Sequence, residues 1–273
     1  MKQVRSKDGA LLAFDTSGSG PALILVDGAL CYRSFGPMAA LSKLLAPHFT
    51  VYTYDRRGRG DSGDTPPYAV EREVEDIQSL IHEAGGAAFV YGVSSGAALA
   101  LEAAARLDSI TRIALYEAPF IVDATHPPRP DDYLERMTAL VHADRRAEAL
   151  KMFMRTVGAP RIMMTILPLT PAWSKLKRVA HTLPYDLTIL GDTGSGRPLN
   201  PKKWAHATAP ALVIAGGASP VWMQNAMKSL AAVLPSAHHV TLDRQTHMVK
   251  PQALAPLLIE FFSRKEAANG ARF

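Results

Sequence analysis

Apolar positions in this chain gather into six short runs: Ala22 to Val26, Phe49 to Tyr54, Ala88 to Val93, Ile110 to Tyr116, Ala211 to Ala215 and His238 to Leu242. Several are continuously apolar, as strands buried on both faces of a parallel sheet must be. Helical segments lie between them at Phe35 to Leu45, Val70 to Ala84, Ser95 to Leu107, Trp222 to Leu234 and Pro251 to Ser263. The alternation predicts an α/β fold with a doubly wound, mostly parallel sheet. Upstream, Val4-Arg5 and Leu11 to Phe14 flank the turn Lys7-Asp8-Gly9, which predicts a leading hairpin.

The rhythm stops after Pro119 and resumes near Trp204. Between them come a proline-rich turn, helical stretches rich in Met, Leu and Arg, and the turn-forming run Gly191 to Gly196. An insertion of this length between sheet strands predicts a helical cap over residues 120–204, carried by a core made of 1–119 and 205–273. The last residues, Ala267 to Phe273, are expected to fray.

Composition narrows the class. Hydrophobic residues make up 48% and charged residues 20% of 273 positions, too polar for a membrane protein. The start of the chain lacks a signal-peptide pattern, so a cytoplasmic location without membrane association is expected. The single cysteine, Cys31, has no intrachain partner. Formal charge is +5, but the basic clusters, Arg56-Arg57-Gly58-Arg59 among them, are short and scattered. They read as solvated surface charge, without the continuous footprint that nucleic acid requires.

Candidate chemistry begins at Tyr91-Gly92-Val93-Ser94-Ser95-Gly96-Ala97, where Gly-x-Ser-x-Gly joins an apolar strand to an Ala/Leu-rich helix. A tight strand-to-helix turn forces the serine into a strained backbone, and the flanking glycines supply room. The helix starting at Ser95 directs free amides and its positive end at the same point. Ser94, in the third position of the motif, is therefore the expected nucleophile. A serine needs a base, and His247, in the loop Leu242-Asp243-Arg244-Gln245-Thr246-His247 between the last strand and last helix, can reach the elbow.

Strand order, elbow, terminal histidine loop and the segment Tyr54-Asp55-Arg56-Arg57-Gly58-Arg59-Gly60-Asp61-Ser62 together resemble the α/β-hydrolase family, over nearly the whole chain outside the cap. The resemblance implies a triad acid, usually an aspartate just beyond the strand that here is Ala211 to Ala215. The chain reads Gly216-Gly217-Ala218-Ser219-Pro220 there, with no carboxylate. Glu117, at the end of the strand after the elbow strand, is the expected substitute, with Asp243 as competitor. Haloalkane dehalogenases resemble this placement, and zearalenone-type lactonases resemble both it and the Ser-Ser pair at the elbow. The resemblance also implies an oxyanion hole from the amides of Gly28 or Ala29 with that of Ser95. Asp27 stands where relatives usually have histidine, and is expected to brace its loop and point away from the oxyanion.

These residues imply hydrolysis of a carboxylic ester or lactone of a small, largely apolar molecule through an acyl-enzyme, with no metal or organic cofactor. Carbon-carbon or thioester hydrolysis by the same triad remains open, as does a non-catalytic ligand-binding role. Met154, Trp173, Trp222 and Met248 are the expected substrate-lining residues, and an apolar cap face would serve a homodimer.

Overall fold

The computed structural model describes residues 1–264; the expected fraying of Ala267 to Phe273 lies outside them. Eight strands form one sheet: β1 (Lys2–Arg5), β2 (Leu11–Ser17), β3 (Ala22–Val26), β4 (Thr50–Tyr54), β5 (Ala88–Val93), β6 (Ile110–Tyr116), β7 (Ala211–Gly216) and β8 (Ala237–Leu242). Their order is β1-β2-β4-β3-β5-β6-β7-β8, with β2 antiparallel to both neighbours and the other pairs parallel. The predicted hairpin is β1-β2, closed by Gly9 at φ 95°.

Helices cover both faces, as the parallel strands require. On one side α2 (Val70–Glu83), α3 (Ser95–Ala104) and α9 (Val221–Val233) pack over Ile24, Val90, Ile113 and Val213; on the other α1 (Met38–Leu45) and α10 (Pro251–Ser263) pack over Leu23, Tyr91, Ala114 and Ile214. The two apolar sets alternate along each strand because successive side chains point to opposite faces. Helix α2 buries Val74, Ile77, Leu80 and Ile81, one stripe at helical spacing. Helix α3 has every residue buried, which explains its small, apolar composition. Helix α1 begins at Met38 rather than Phe35: Phe35 instead closes a backbone bridge with Tyr32, and Pro37 precedes the first turn.

Between β6 and β7 the chain forms the predicted helical insertion: α4 (Tyr133–His142), α5 (Arg146–Thr156), α6 (Arg161–Ile166), α7 (Pro171–Val179) and α8 (Leu183–Leu190), joined by short 3-10 turns. Its two ends meet where the Phe120 ring stacks on Trp204 at 5.6 Å, and the Trp204 indole donates to Glu102 Oε1 at 2.9 Å. Inside the insertion Met137, Leu150, Leu176, Val179, Leu183 and Leu187 form an apolar cluster that includes Leu30 and Tyr32 from the loop after β3. The insertion is thereby packed onto that loop. Among the described residues no helix is long and apolar enough to cross a membrane.

The arginines of Arg56-Arg57-Gly58-Arg59 correct the expectation of surface charge: they are 1%, 0% and 1% exposed. Each guanidinium meets carboxylates from distant segments. Arg56 binds Glu73 through two bonds, at 2.8 and 2.7 Å, Arg57 binds Asp76 in the same way, and Arg59 binds Asp186. Burying a charge is costly unless it is paired and hydrogen-bonded, and two-pronged arginine–carboxylate geometry meets both conditions.

Candidate active site

Four loops at the carboxyl ends of the strands make the site. Val93 pairs with Tyr116 in the parallel register of β5 and β6, so the next residues, Ser94 and Glu117, leave neighbouring strand ends at the same level. The Ser94 amide donates to Tyr116 O at 2.9 Å. Ser94 adopts φ 57°, ψ −129°, a conformation costing roughly 1–3 kcal/mol that persists only where the surroundings enforce it. Glycines enforce it here. A Cβ on Gly92 would lie 2.4 Å from Gly96 O, and one on Gly96 would lie 2.4 Å from Val26 O.

Positive φ at residues other than glycine is rare. Among the described residues it occurs at Leu30, Ser94, Glu117, Asp144 and Arg244. Leu30 follows β3, Ser94 follows β5, Glu117 follows β6, and Arg244 lies three residues before His247. Four of these five therefore lie in the loops that the sequence singled out, and Asp144 lies between α4 and α5.

Glu117 is completely buried. Its Oε1 accepts the Gly216 amide at 2.7 Å and its Oε2 accepts from His247 Nδ1 at 2.9 Å. The His247 loop is fastened from below: Tyr116 Oη donates to Thr246 O at 2.6 Å, and the Ala218 amide donates to Gln245 O at 2.8 Å. The turn after β7 thus grips the histidine loop by its backbone. A Cβ on Gly216 would stand 2.5 Å from Gln245 O, so no side chain fits at that point. The competing acid Asp243 has an 87% exposed side chain paired with Arg244.

Gly28 touches the elbow: a Cβ there would lie 3.1 Å from Ser94 Cβ and 3.7 Å from Ser94 Oγ. Its amide is already engaged, donating to Asp27 Oδ1 at 2.9 Å. Of the three expected oxyanion amides, those of Ala29 and Ser95 have no protein acceptor among the described residues. Asp27 folds back on its own loop as expected, its Oδ2 lying against Gly36. Burial raises its carboxyl from the ordinary 3.8 to about 7, partly offset by the Gly28 amide, Arg59, Cys31 and Arg56. Burial and the nearby Asp27 push the Cys31 thiol up, so it is no thiolate nucleophile.

Ser95 is separated from Ser94 by its hydroxyl partner: Ser95 Oγ donates to Asp186 Oδ1 at 2.8 Å. Asp186 also takes Arg56 and Arg59, each at 2.8 Å. Burial opposes its ionisation, but Arg59, Arg56 and the Ser95 hydroxyl hold it below the usual carboxylate range. The sequence reading missed Arg56, Arg59 and Asp186 at the site. Only the clustering of arginines in a glycine-rich turn signalled them, and Asp186 carried no motif.

The expected lining residues divide. Met154 and Trp173 are half-buried against the insertion's cluster, against which Ala29 also packs. Trp222 packs on the His126 ring at 4.7 Å, and Met248 is 81% exposed.

Comparison with known proteins follows the same lines. The alpha/beta hydrolase family matches residues 17–257. The chain is 49% identical to an alpha/beta hydrolase from Sphaerobacter thermophilus, with TM-score 0.87 over 96% of this chain and all of that one. It is 28% identical over 242 residues to a pimeloyl-[acyl-carrier protein] methyl ester esterase of Xanthomonas campestris pv. campestris, covering 85% of this chain and 90% of that protein. An enol-lactonase from Burkholderia xenovorans shares the fold at TM-score 0.67 and 19% identity, over 96% of this chain and all of that one. With its eight-stranded sheet, strained elbow serine and matched span of residues 17–257, this chain belongs to the alpha/beta hydrolase family.

Proposed function

We propose that the protein is a serine hydrolase cleaving a carboxylic ester or lactone of a small, largely apolar molecule. Ser94 is the nucleophile, His247 the general base and Glu117 the acid that orients it. The observation carrying this reading is the buried Glu117 carboxylate bonded to His247 Nδ1 at 2.9 Å. With Nδ1 donating, Nε2 is the basic nitrogen, and the buried negative charge stabilises the imidazolium that forms when it takes a proton.

In the first half-reaction Ser94 Oγ attacks the substrate carbonyl carbon while His247 Nε2 takes the hydroxyl proton. The carbonyl oxygen becomes an oxyanion held by the amides of Ala29 and Ser95 at the start of α3, where the helix dipole adds favourable field. Collapse breaks the bond to the leaving alcohol, which receives the proton from His247. Water then attacks the acyl-enzyme by the same route and releases the acid. In a lactone the leaving alcohol stays tethered to the acyl group, so a single hydroxy acid departs.

The insertion acts as the cap of this site. Ala29, Met154 and Trp173 all pack against one apolar cluster, which favours an uncharged acyl or aromatic group beside the oxyanion loop. Similarity to a pimeloyl-[acyl-carrier protein] methyl ester esterase supports ester chemistry. The test is hydrolysis of a panel of p-nitrophenyl esters and lactones by wild type and Ser94→Ala. Turnover by the wild type that disappears in Ser94→Ala is the expected result; equal turnover by both overturns the reading.

A further inference from the structure

The amides of Ala29 and Ser95 belong to backbone that is held from behind. Gly28 C=O and Ala29 N–H are two ends of one peptide unit, and Arg59 Nη1 donates to that Gly28 oxygen at 2.7 Å. The preceding peptide is held the same way, with Arg56 Nη1 donating to Asp27 O at 3.3 Å. Every nitrogen of the Arg59 fork is used: Nε donates to Thr182 Oγ1 at 3.1 Å, and Nη2 to both oxygens of Asp186 at 2.9 and 2.8 Å. Asp186 Oδ1 also takes the hydroxyl of Ser95. One carboxylate on α8 of the insertion therefore ties together both backbone segments that would face the oxyanion. Asp27, Arg56, Arg59, Ser95, Thr182 and Asp186 are all buried.

We infer that Arg59, oriented by Asp186, is a positioning residue that fixes and polarises the Gly28–Ala29 peptide as an oxyanion donor, so that the insertion completes the site. The inference rests on the hydrolase reading above. A cation against the carbonyl end of a peptide draws electron density toward it and makes the N–H at the other end a stronger donor, the cooperativity of hydrogen-bonded chains. The planar fork matters as much as the charge: an ammonium cannot bind Thr182, Asp186 and Gly28 O in one plane. The oxyanion develops only in the transition state, so this assistance acts on kcat rather than on substrate binding.

Arg57 supplies the control. It comes from the same turn, is equally buried and is equally well paired, but its partners are Asp76, Asp8, Thr65 and Arg72 O, none of them in the oxyanion loop. The experiment measures kcat, KM and inhibition by an aryl trifluoromethyl ketone, which forms a tetrahedral oxyanion on the serine, for wild type, Arg59→Met, Asp186→Asn, Arg57→Met and Ser94→Ala. In Arg59→Met and Asp186→Asn, kcat should fall about 10- to 100-fold with KM within about threefold, and ketone affinity should fall in parallel. Arg57→Met should lower thermal stability while kcat per folded enzyme stays near wild type. If Arg59→Met does not fold, the isosteric Asp186→Asn carries the test. Wild-type kcat in folded Arg59→Met or Asp186→Asn, or the same kcat loss in Arg57→Met, overturns the positioning role. Ser94→Ala reads separately: if it retains turnover, it is the hydrolase reading that fails.

Discussion

Glu117 and His247, 130 residues apart in the chain, are joined by a 2.9 Å bond between a completely buried carboxylate and a half-exposed imidazole. The carboxylate facing His247 comes from the end of β6, next to the elbow strand β5, and not from beyond β7 one strand further away. The last residue of β7 holds Glu117 through the Gly216 amide, and the turn after it holds the histidine loop through the Ala218 amide.

Exchange of Glu117 for glutamine should therefore be costly and exchange of Asp243 for asparagine harmless. Glutamine keeps the shape but favours the wrong imidazole tautomer and cannot stabilise the imidazolium, a change that costs up to about 10⁴-fold in related triads. Asp243→Asn touches an exposed pair worth about 0–1 kcal/mol. Steady-state ester hydrolysis by the two variants checks this; loss in Asp243→Asn would transfer the acid role to that residue.

The elbow makes a steric prediction. An alanine Cβ at position 96 would sit 2.4 Å from Val26 O and 2.5 Å from Asp27 O, both backbone atoms that cannot swing aside. Gly96→Ala should cost about 1–3 kcal/mol or more and push the oxyanion loop off the helix, abolishing turnover. At Gly63 the nearest atoms to an added Cβ are 3.5 and 3.6 Å away, so Gly63→Ala should stay within about 0.5 kcal/mol of wild type. Thermal unfolding of both variants compares the two.

Asp27 gives a pH signature. In the unfolded chain its carboxyl releases its proton near the ordinary 3.8, whereas in the fold it keeps it until about pH 7. Between those values the folded state binds the extra proton, so this group's stabilising contribution is complete at low pH and is lost as pH rises toward 7. The full swing is at most about 4 kcal/mol. Asp27→Asn accepts the same Gly28 hydrogen bond and does not titrate. Denaturant unfolding at several pH values should show wild type losing stability relative to Asp27→Asn from pH 4 to 7; parallel curves would contradict it.

Much of this was legible in the chain. The continuous apolar runs placed β3, β5 and β6 at their observed bounds, because buried parallel strands admit few polar residues. Gly92-Val93-Ser94-Ser95-Gly96 marked the elbow because only glycine tolerates backbone at 2.4 Å. Glu117 was singled out because Gly216 to Ser219 offered no carboxylate, and the fold brings it to His247. The arginine network was not legible. Arg56, Arg57 and Arg59 look like any surface run until Glu73, Asp76 and Asp186 are brought to them, and pairing over as many as 130 positions leaves no local periodicity. Bracing by Asp27 was legible, but not that its Oδ1 would take the Gly28 amide, which leaves Ala29 of the two expected alternatives.

In the proposed mechanism Ser94 is activated by the His247–Glu117 pair. Intact-mass and peptide analysis after exposure to a fluorophosphonate tests it most directly, because the reagent reports the activated serine whatever the natural substrate is. One adduct per chain is expected, located on Ser94, absent in Ser94→Ala and formed far more slowly in Glu117→Gln. An unlabelled wild type, or labelling of Ser95 or another serine that persists in Ser94→Ala, would contradict it.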